Sequence, residues 1–188
     1  MKGAEASAVG MCRIVVVGVA GAGKSTVARE LSERLGVRHI ELDSIFWQAN
    51  WTKLDQGEFE ARVQAATRSE GWIVDGNYSE RIRSISWSAA DTVVWLDPPR
   101  LVVMWQLLLR TVRRIASGVE LWNGNREGSI RDQLSRDPAR SILLWSWRTY
   151  APTKREYGQA VEDPEFAHLR FVRLRSRRQL KRFLRSVC

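Results

Sequence analysis

Near its amino-terminal end the chain reads Gly18-Val19-Ala20-Gly21-Ala22-Gly23-Lys24-Ser25, and this stretch decides its fold. It matches the pattern GxxxxGK(S/T) of the phosphate-binding P-loop, in which glycines let backbone N–H groups turn inward and form an anion nest. An apolar run at 13–17 precedes the stretch, and an amphipathic pattern follows it. A strand should therefore lead into the loop, and a helix should direct its positive dipole end at bound phosphates. The stretch predicts a site for a nucleoside triphosphate.

Each polar part of the P-loop has an expected role. We expect Lys24 to reach the β- and γ-phosphates and the Ser25 hydroxyl to ligate Mg²⁺. The Thr26 hydroxyl should lie near the α-phosphate. The remaining nucleotide-binding residues are expected to be Gly18, Ala20, Gly21, Ala22 and Gly23.

Short apolar runs alternate with longer helical patterns, which predicts an α/β fold with a parallel sheet covered on both faces. The predicted strands are Arg13–Val17, Arg38–Leu42, Trp72–Asp75, Thr92–Leu96 and Arg170–Leu174. Glycine and polar residues concentrate from Ser117 to Ser129, so we place a small lid at about 115–135. Residues 13–188 should form a single domain, and residues 1–12 a flexible extension that contains a second candidate start at Met11.

Two helices are predicted from their apolar stripes. Pro98-Pro99 should open a helix whose stripe consists of Leu101, Trp105, Leu108, Leu109 and Val112. Asp137-Pro138 should open another helix, with Ile142, Trp145 and Thr149 on one face and Pro152 at its end.

Composition limits the classes of function. The longest apolar stretch, Leu101 to Leu109, is too short to span a bilayer, which needs about 20 residues. Cys12 and Cys188 have no CxxC or Cys/His spacing, so they predict neither a zinc site nor a disulfide framework. We therefore expect a cytoplasmic monomer or homodimer with no membrane partner.

The 188-residue chain carries a formal net charge of +9. This charge could attract either nucleic acid or a polyphosphate substrate. The last predicted helix concentrates cations on one face, which is either a solvated surface or a nucleic-acid contact. The cations are Arg177, Arg178, Lys181, Arg182 and Arg185.

Asp43 and Asp75 end the second and third predicted strands. Carboxyl ends of parallel strands are where an open α/β sheet binds ligands. Two carboxylates there could hold magnesium waters or accept the proton of an attacking hydroxyl, and the structural alternative for each is a turn or a helix N-cap. Asp97, before two prolines, is expected to be a cap. His39 is expected to be structural.

A P-loop alone does not separate a GTPase, a motor and a kinase. The sequence has no NKxD base-reading motif, and the fourth strand ends in Leu96-Asp97-Pro98 rather than in an Asp-Glu pair. Both observations favour a kinase.

Arginines cluster around the predicted lid. Arg110, Arg113 and Arg114 fall on one side of the helix that leads into the glycine-rich segment Ser117 to Ser129. Arg126 lies within that segment, and Arg131 lies just beyond it. Because phosphoryl transfer develops charge on the equatorial oxygens, arginine forks can stabilise its transition state. We expect at least one of these residues to be catalytic; the alternative for each is a solvated basic surface.

The sequence resembles the adenylate-kinase-like P-loop kinases, and within them the FlaR-type "DNA topology modulation protein" family. The resemblance covers nearly the whole chain from Arg13 onward. It rests on Gly18 to Thr26, on 39–43 with Phe46-Trp47 and Trp51, on 72–78, on 91–100, on 121–127 and on 174–178. The segments at Asp75-Gly76-Asn77-Tyr78 and Trp122 to Glu127 are its narrowest signals.

The resemblance implies a three-layer P-loop NTPase fold with a five-stranded sheet in the order 2-3-1-4-5. It also implies ATP with Mg²⁺ and a small helical lid. By analogy, Arg110 or Arg114 would lie over the adenine or the phosphates, Arg126 and Arg131 would come from the lid, and Arg177 would lie near the base. The metal is expected at Ser25 and Asp75.

Adenylate kinases have Phe-Pro-Arg after the Asp-Gly pair, whereas this chain has Asn77-Tyr78. The resemblance therefore does not imply AMP as the acceptor. It implies an ATP-binding kinase that transfers the γ-phosphoryl group to a small acceptor, a nucleotide or another hydroxyl compound. The alternative is a nucleotide-gated, nucleic-acid-associated regulatory protein without strong kinase activity.

Overall fold

A computed structural model of the chain describes residues 12–138 and 140–187. The strands are β1 (Arg13–Val17), β2 (Arg38–Glu41), β3 (Trp72–Asp75), β4 (Thr92–Leu96) and β5 (Arg170–Leu174). The helices are α1 (Lys24–Leu35), α2 (Leu42–Phe46), α3 (Gln56–Ala66), α4 (Glu80–Ser88), α5 (Arg100–Ser117), α6 (Ile130–Gln133), α7 (Ile142–Ala160) and α8 (Arg177–Ser186). Short 3₁₀ turns lie at Ala49–Trp51, Trp122–Gly124 and Pro164–Phe166. The predicted extension at 1–12 lies outside the described residues except for Cys12.

The strands form one parallel sheet in the order β2-β3-β1-β4-β5. Every residue of β3 and β4 is buried, as expected for central strands with helices on both faces. This confirms the predicted fold class and strand order. The predicted bounds are also confirmed for β1, β3, β4 and β5, whereas Leu42 begins α2 instead of ending β2.

Side chains of β1 alternate between two apolar cores. Val15 and Val17 pack on the face that α3, α4 and α7 cover, and Ile14 and Val16 pack on the face that α1 and α8 cover. Each fully buried aliphatic side chain contributes roughly 1.5–3 kcal/mol. Because both faces of β1 are packed in this way, the P-loop that follows it starts from a fixed position.

The P-loop joins β1 to α1 in a tight turn that presses against α5. A Cβ atom at Gly21, where φ is +90°, would lie 2.8 Å from Cβ of Leu107 and 2.9 Å from the carbonyl oxygen of Val103. Gly23 is the N-cap of α1 with φ at 95°. On the other side, the buried Ser146 of α7 donates a hydrogen bond to the carbonyl oxygen of Ala20 at 2.9 Å. The loop is therefore held between two helices.

Both predicted helices form, but the packed face of α5 and the ends of α7 differ from what the sequence pattern suggests. The buried residues of α5 are Val103, Leu107 and Thr111, and the predicted stripe is exposed, with Leu101 at 77% and Trp105 at 61%. The prediction followed the larger apolar stripe, but the P-loop contacts the smaller one. Helix α7 begins at Ile142, with Ser141 as its N-cap, rather than at Asp137-Pro138, and it continues past Pro152 to Ala160 instead of ending there. Among the described residues, no helix is long and apolar enough to cross a membrane.

Candidate active site

A cleft of about 1890 Å³ opens at the carboxyl ends of the strands. Loop 20–26 forms its floor, and its walls come from the segments after β2 and β3, from α5 and from parts of segment 118–141. This is the edge where open α/β sheets bind ligands. The polar lining residues that matter most are Lys24, Ser25, Asp43, Asp75, Tyr78, Arg110 and Arg114.

Lys24 lies at the centre of this cleft. Its Nζ atom donates hydrogen bonds to the carbonyl oxygens of Gly18 at 2.8 Å and Val19 at 3.3 Å. Burial lowers the pKa of the ammonium and Arg110 acts in the same direction, while Asp43 and Asp75 oppose both. The ammonium is therefore close enough to interact with two carboxylates and with the guanidinium of Arg110.

Three carboxylates lie at the ends of β2 and β3. The Ser25 hydroxyl donates a hydrogen bond to Oε1 of Glu41 at 3.2 Å. Glu41 stands beside Asp75 in the register of the sheet, and Asp75 is 2% exposed. Nε2 of His39 lies 3.3 Å from Oδ1 of Asp75, but neither atom has a hydrogen-bond partner among the described residues. The third carboxylate belongs to Asp43, which begins α2.

The hydroxyl of Tyr78 donates a hydrogen bond to Oδ1 of Asp43 at 2.5 Å. Burial, and then Asp43, raise the pKa of the Tyr78 hydroxyl far above its ordinary range, so this donor stays protonated. Nearby, Asn77 holds the start of the P-loop, since its Nδ2 atom donates to the carbonyl oxygen of Gly18 at 2.5 Å. No described residue donates to Oδ2 of Asp43, which leaves that oxygen able to accept a hydrogen bond from a bound molecule.

Arg110 and Arg114 project from α5 toward the same space. Burial lowers the pKa of the Arg110 guanidinium, and the neighbouring charge of Arg114 lowers it further. The buried Nε atom of Arg110 has no hydrogen-bond partner among the described residues. Arg114, by contrast, pairs with Glu127 at 3.3 Å. Arg110 is thus a partly buried cation whose buried Nε atom a bound anion would satisfy.

The structure does not bring every predicted arginine into the cleft. Arg126 pairs with Glu120 at 3.0 Å, and both side chains are more than 60% exposed. Arg113 and Arg131 are exposed and do not line the cleft, whereas Arg177 is exposed and does line it. The catalytic role predicted for Arg126 would need segment 118–129 to move, and it stays a prediction.

The other basic residues of α8, Arg178, Lys181, Arg182 and Arg185, are exposed. A solvated face and a nucleic-acid contact both require this exposure, so it does not favour either. The nucleic-acid role stays a prediction from charge.

Asp97 does not cap a helix through its side chain, contrary to prediction. The N-cap of α5 is Pro99. The buried carboxylate of Asp97 instead accepts hydrogen bonds from Nε and Nη2 of Arg173 at 2.9 and 2.6 Å, with Lys154 at 3.6 Å. This ion cluster joins the end of β4 to β5.

Sequence reasoning missed several residues at the site. Glu41 could have been found from its position two residues before Asp43, because the two flank the carboxyl end of β2. Tyr78 was noted only as part of a resemblance, and its contact with Asp43 depends on the neighbouring positions of β2 and β3. Six further aromatic residues line the cleft: Phe46, Trp47, Trp51, Trp105, Trp122 and Trp145.

Comparisons with known proteins find kinases among the relatives of this chain. Residues 14–98 match the family described as AAA domain. Adenylate kinase 1 of Nostoc sp. (strain PCC 7120) is 30% identical over 128 residues, which cover 53% of this chain and 70% of that protein. A probable gluconokinase of Schizosaccharomyces pombe is 49% identical over 43 residues, but the match spans only 22% of its length and 23% of this chain.

A solved structure resembles the whole chain. Shikimate kinase from Acinetobacter baumannii, in complex with shikimate, superposes with a TM-score of 0.52 over 95% of this chain and 91% of that one. At 19% sequence identity this likeness shows a shared fold and nothing about substrates.

Proposed function

Because the chain belongs to the adenylate-kinase-like P-loop kinases, we propose that it moves the γ-phosphoryl group of ATP to a hydroxyl group of a small acceptor. The observation that carries the proposal is the electrostatic neighbourhood of Lys24, which includes Asp43, Asp75 and Arg110. Phosphoryl transfer needs a phosphate-binding loop, carboxylates and a cation for the transferred group, and here the cation is Arg110, whose buried Nε atom has no partner among the described residues. The narrower resemblance to the FlaR-type family stays a prediction.

The donor phosphates occupy the P-loop. Backbone N–H groups of the loop and the start of α1 favour anions. Lys24 exchanges its loop carbonyl partners for phosphate oxygens, and the gain is large because its ammonium is buried. Arg110, whose Nε atom lacks a partner, donates to the oxygens of the transferred group, where charge develops in the transition state.

Residues at the loop and the sheet edge fit a magnesium ion. Oxygen atoms of Ser25 and Glu41 are 3.2 Å apart, and Oδ1 of the buried Asp75 has no hydrogen-bond partner among the described residues. No group of three or more His, Cys, Asp and Glu side chains that could hold a metal is found in the described part of the chain. Mg²⁺ does not require one, because it binds one or two carboxylates together with waters and substrate phosphates. When bound, the ion would neutralise charge on the phosphates, and Ser25, Glu41 and Asp75 would hold it.

Asp43 orients and deprotonates the acceptor. Tyr78 fixes one carboxylate oxygen, and Oδ2 accepts a hydrogen bond from the acceptor hydroxyl. As the acceptor oxygen forms its bond to γ-phosphorus, the bond from γ-phosphorus to the bridging oxygen breaks, the hydroxyl proton passes to Asp43, and ADP leaves. No water is consumed, so the cleft has to exclude water from the γ-phosphate.

The proposal is tested by comparing ATP binding with phosphoryl transfer in Asp43→Asn. Loss of a general base costs roughly 10²–10⁴ in rate. We expect acceptor-stimulated ADP formation to fall at least about 100-fold, with the Kd for ATP unchanged. Asp55→Asn is the matched control, because Asp55 is an exposed aspartate that caps α3 away from the cleft.

Transfer at the wild-type rate in Asp43→Asn would remove Asp43 from the mechanism. ATP binding without ADP formation from any acceptor, nucleotide or not, would overturn the kinase proposal itself.

A further inference from the structure

We propose, on the basis of the kinase function above, that the acceptor is a flat hydroxylated ring without a phosphate group. The ring lies against the indole of Trp51 and directs a hydroxyl group at Asp43. Trp51 is thus a specificity-determining residue for this cleft. A hydroxylated carbocycle, a hydroxylated heterocycle and a nucleoside all fit this description, whereas a nucleoside monophosphate does not.

The acceptor end of the cleft is walled by aromatic rings. Phe46 contacts Tyr78 and Trp47, with both pairs of ring centroids 4.9 Å apart. Trp51 lies 5.5 Å from Trp47, edge to face. Trp122 continues the wall at 6.3 Å from Trp51, and all five rings line the cleft. The wall starts at Tyr78, the residue that donates to Asp43, and Trp51 is the third ring along from it. Asp43 and Trp51 line the same cleft.

The backbone at Trp51 is strained, and it is held in place by a second loop. Trp51 has φ at +54°, a value that is an outlier for a bulky residue. Its backbone N–H donates to Oδ1 of Asn125 at 2.7 Å, and its indole N–H donates to the carbonyl oxygen of Arg126 at 3.0 Å. Asn125 is 3% exposed and also donates to the carbonyl oxygen of Gln48 at 2.8 Å. Strain that surrounding bonds maintain in this way is typical of ligand clamps.

Those hydrogen bonds also determine which part of the Trp51 side chain a ligand can contact. The indole N–H is satisfied by the protein, so the indole offers a ligand its ring surface and no free donor. Trp51 is 39% exposed, which leaves part of that surface open. Aromatic surfaces bind flat rings by stacking and do not recognise phosphate.

Charges at this end disfavour a phosphate on the acceptor. A phosphate monoester carries nearly two negative charges and is bound by arginine forks. Arg114 is paired with Glu127, and Arg140 with Asp132. Lys53 also lines the cleft beside Trp47, but it is an exposed single ammonium and offers no bidentate fork. Arg110 interacts with Lys24 at the donor loop and is assigned to the transferred group. The carboxylate of Asp43 would repel an acceptor phosphate further.

The experiment measures ADP formation from Mg-ATP with a fixed panel at equal concentration. One arm contains shikimate and pyridoxine, a second contains the four common ribonucleosides, and a third contains their monophosphates. We expect at least about tenfold stimulation in one of the first two arms, which identifies the source of the ring, and none in the third.

Two substitutions then test Trp51. Trp51→Gly removes the ring and tolerates positive φ, so the backbone strain is relieved rather than increased. We expect it to raise the acceptor KM at least about tenfold, the range that loss of a stacked ring produces, with the KM for ATP unchanged. Trp51→Phe should recover most of the affinity. Trp147→Ala is the control, because Trp147 is an exposed tryptophan outside the cleft.

Stimulation by a nucleoside monophosphate would overturn this inference and leave the kinase function standing. So would an acceptor KM that Trp51→Gly does not change, or absence of stimulation in the first two arms while another hydroxyl compound serves as acceptor. If no compound is phosphorylated although ATP binds, the kinase function fails as well.

Discussion

Alanine at Gly21 should destabilise the protein more than alanine at Gly23, although both positions have nearly the same backbone strain. The φ angles are +90° at Gly21 and +95° at Gly23. The positions differ in their surroundings: a Cβ atom at Gly21 would lie 2.8 Å from Cβ of Leu107, whereas a Cβ atom at Gly23 would have no heavy atom within 4 Å. The pair therefore separates the contact between the loop and α5 from the cost of a left-handed backbone.

The magnitudes follow from these two terms. A left-handed conformation costs a non-glycine residue about 1–2 kcal/mol, and this applies to both variants. Overpacking adds roughly 1–3 kcal/mol at Gly21 alone, because the carbonyl oxygen of Val103 and Cβ of Leu107 belong to the backbone frame of α5. In a chain of this size each kcal/mol lowers Tm by about 2–4 °C. Gly23→Ala should lower Tm by roughly 2–8 °C, and Gly21→Ala by a further 2–12 °C or so.

The assay is thermal unfolding of the ligand-free protein. Nucleotide is left out because ligand binding shifts Tm by mass action, and both glycines belong to the loop that would bind it. Equal Tm values for the two variants, or a lower Tm for Gly23→Ala, would refute the contact between the loop and α5. In that case the position of Arg110 relative to the P-loop, which the proposed mechanism needs, would have no structural basis.

Two further predictions concern the donor site. The pKa of Lys24 is lowered by folding, so the unfolded chain binds more protons in the range between its folded pKa and its ordinary value of 10.5, and stability should rise with pH across that range. The free energy of unfolding of the wild type relative to that of Lys24→Met should therefore increase as pH is raised toward 10.5, by about 1.4 kcal/mol for each pKa unit by which folding lowers the pKa of Lys24. A difference that stays constant with pH would contradict the desolvation of the ammonium. The second prediction concerns the Mg²⁺ concentration that gives half of the ATP-dependent increase in Tm. Glu41→Gln should raise this concentration about tenfold, because loss of a residue that holds a metal commonly lowers metal affinity by that factor, whereas Glu33→Gln, at an exposed position, should leave it unchanged.

The strands could be predicted from sequence because burial on both faces leaves a simple signal. A short apolar run such as Thr92–Leu96 has no polar alternation, and it ends where the chain needs a turn. The P-loop could be predicted because its function depends on contiguous residues, Gly18 to Ser25. Neither inference required knowledge of tertiary contacts.

The face of α5 could not be predicted, and the reason is physical. Periodicity identifies the more apolar stripe, and in α5 that stripe is the exposed one. Leu101 and Trp105, which belong to it, line the ligand cleft. The apolar pattern therefore reflects surroundings that include the cleft as well as the core. A sequence pattern does not distinguish these two kinds of apolar environment.

The acceptor end was also beyond sequence reasoning, because its parts come from separate segments of the chain. Asp43 and Tyr78 meet only through the pairing of β2 with β3, and Trp51 and Asn125 meet only because two turns dock on each other. The donor site, in contrast, is one continuous loop between β1 and α1. Different parts of the structure therefore hold the proposed donor and acceptor sites in place. Substitution of Trp51 or Asn125 should change the acceptor parameters while the binding of ATP stays the same, since neither residue contacts the P-loop through any hydrogen bond found among the described residues.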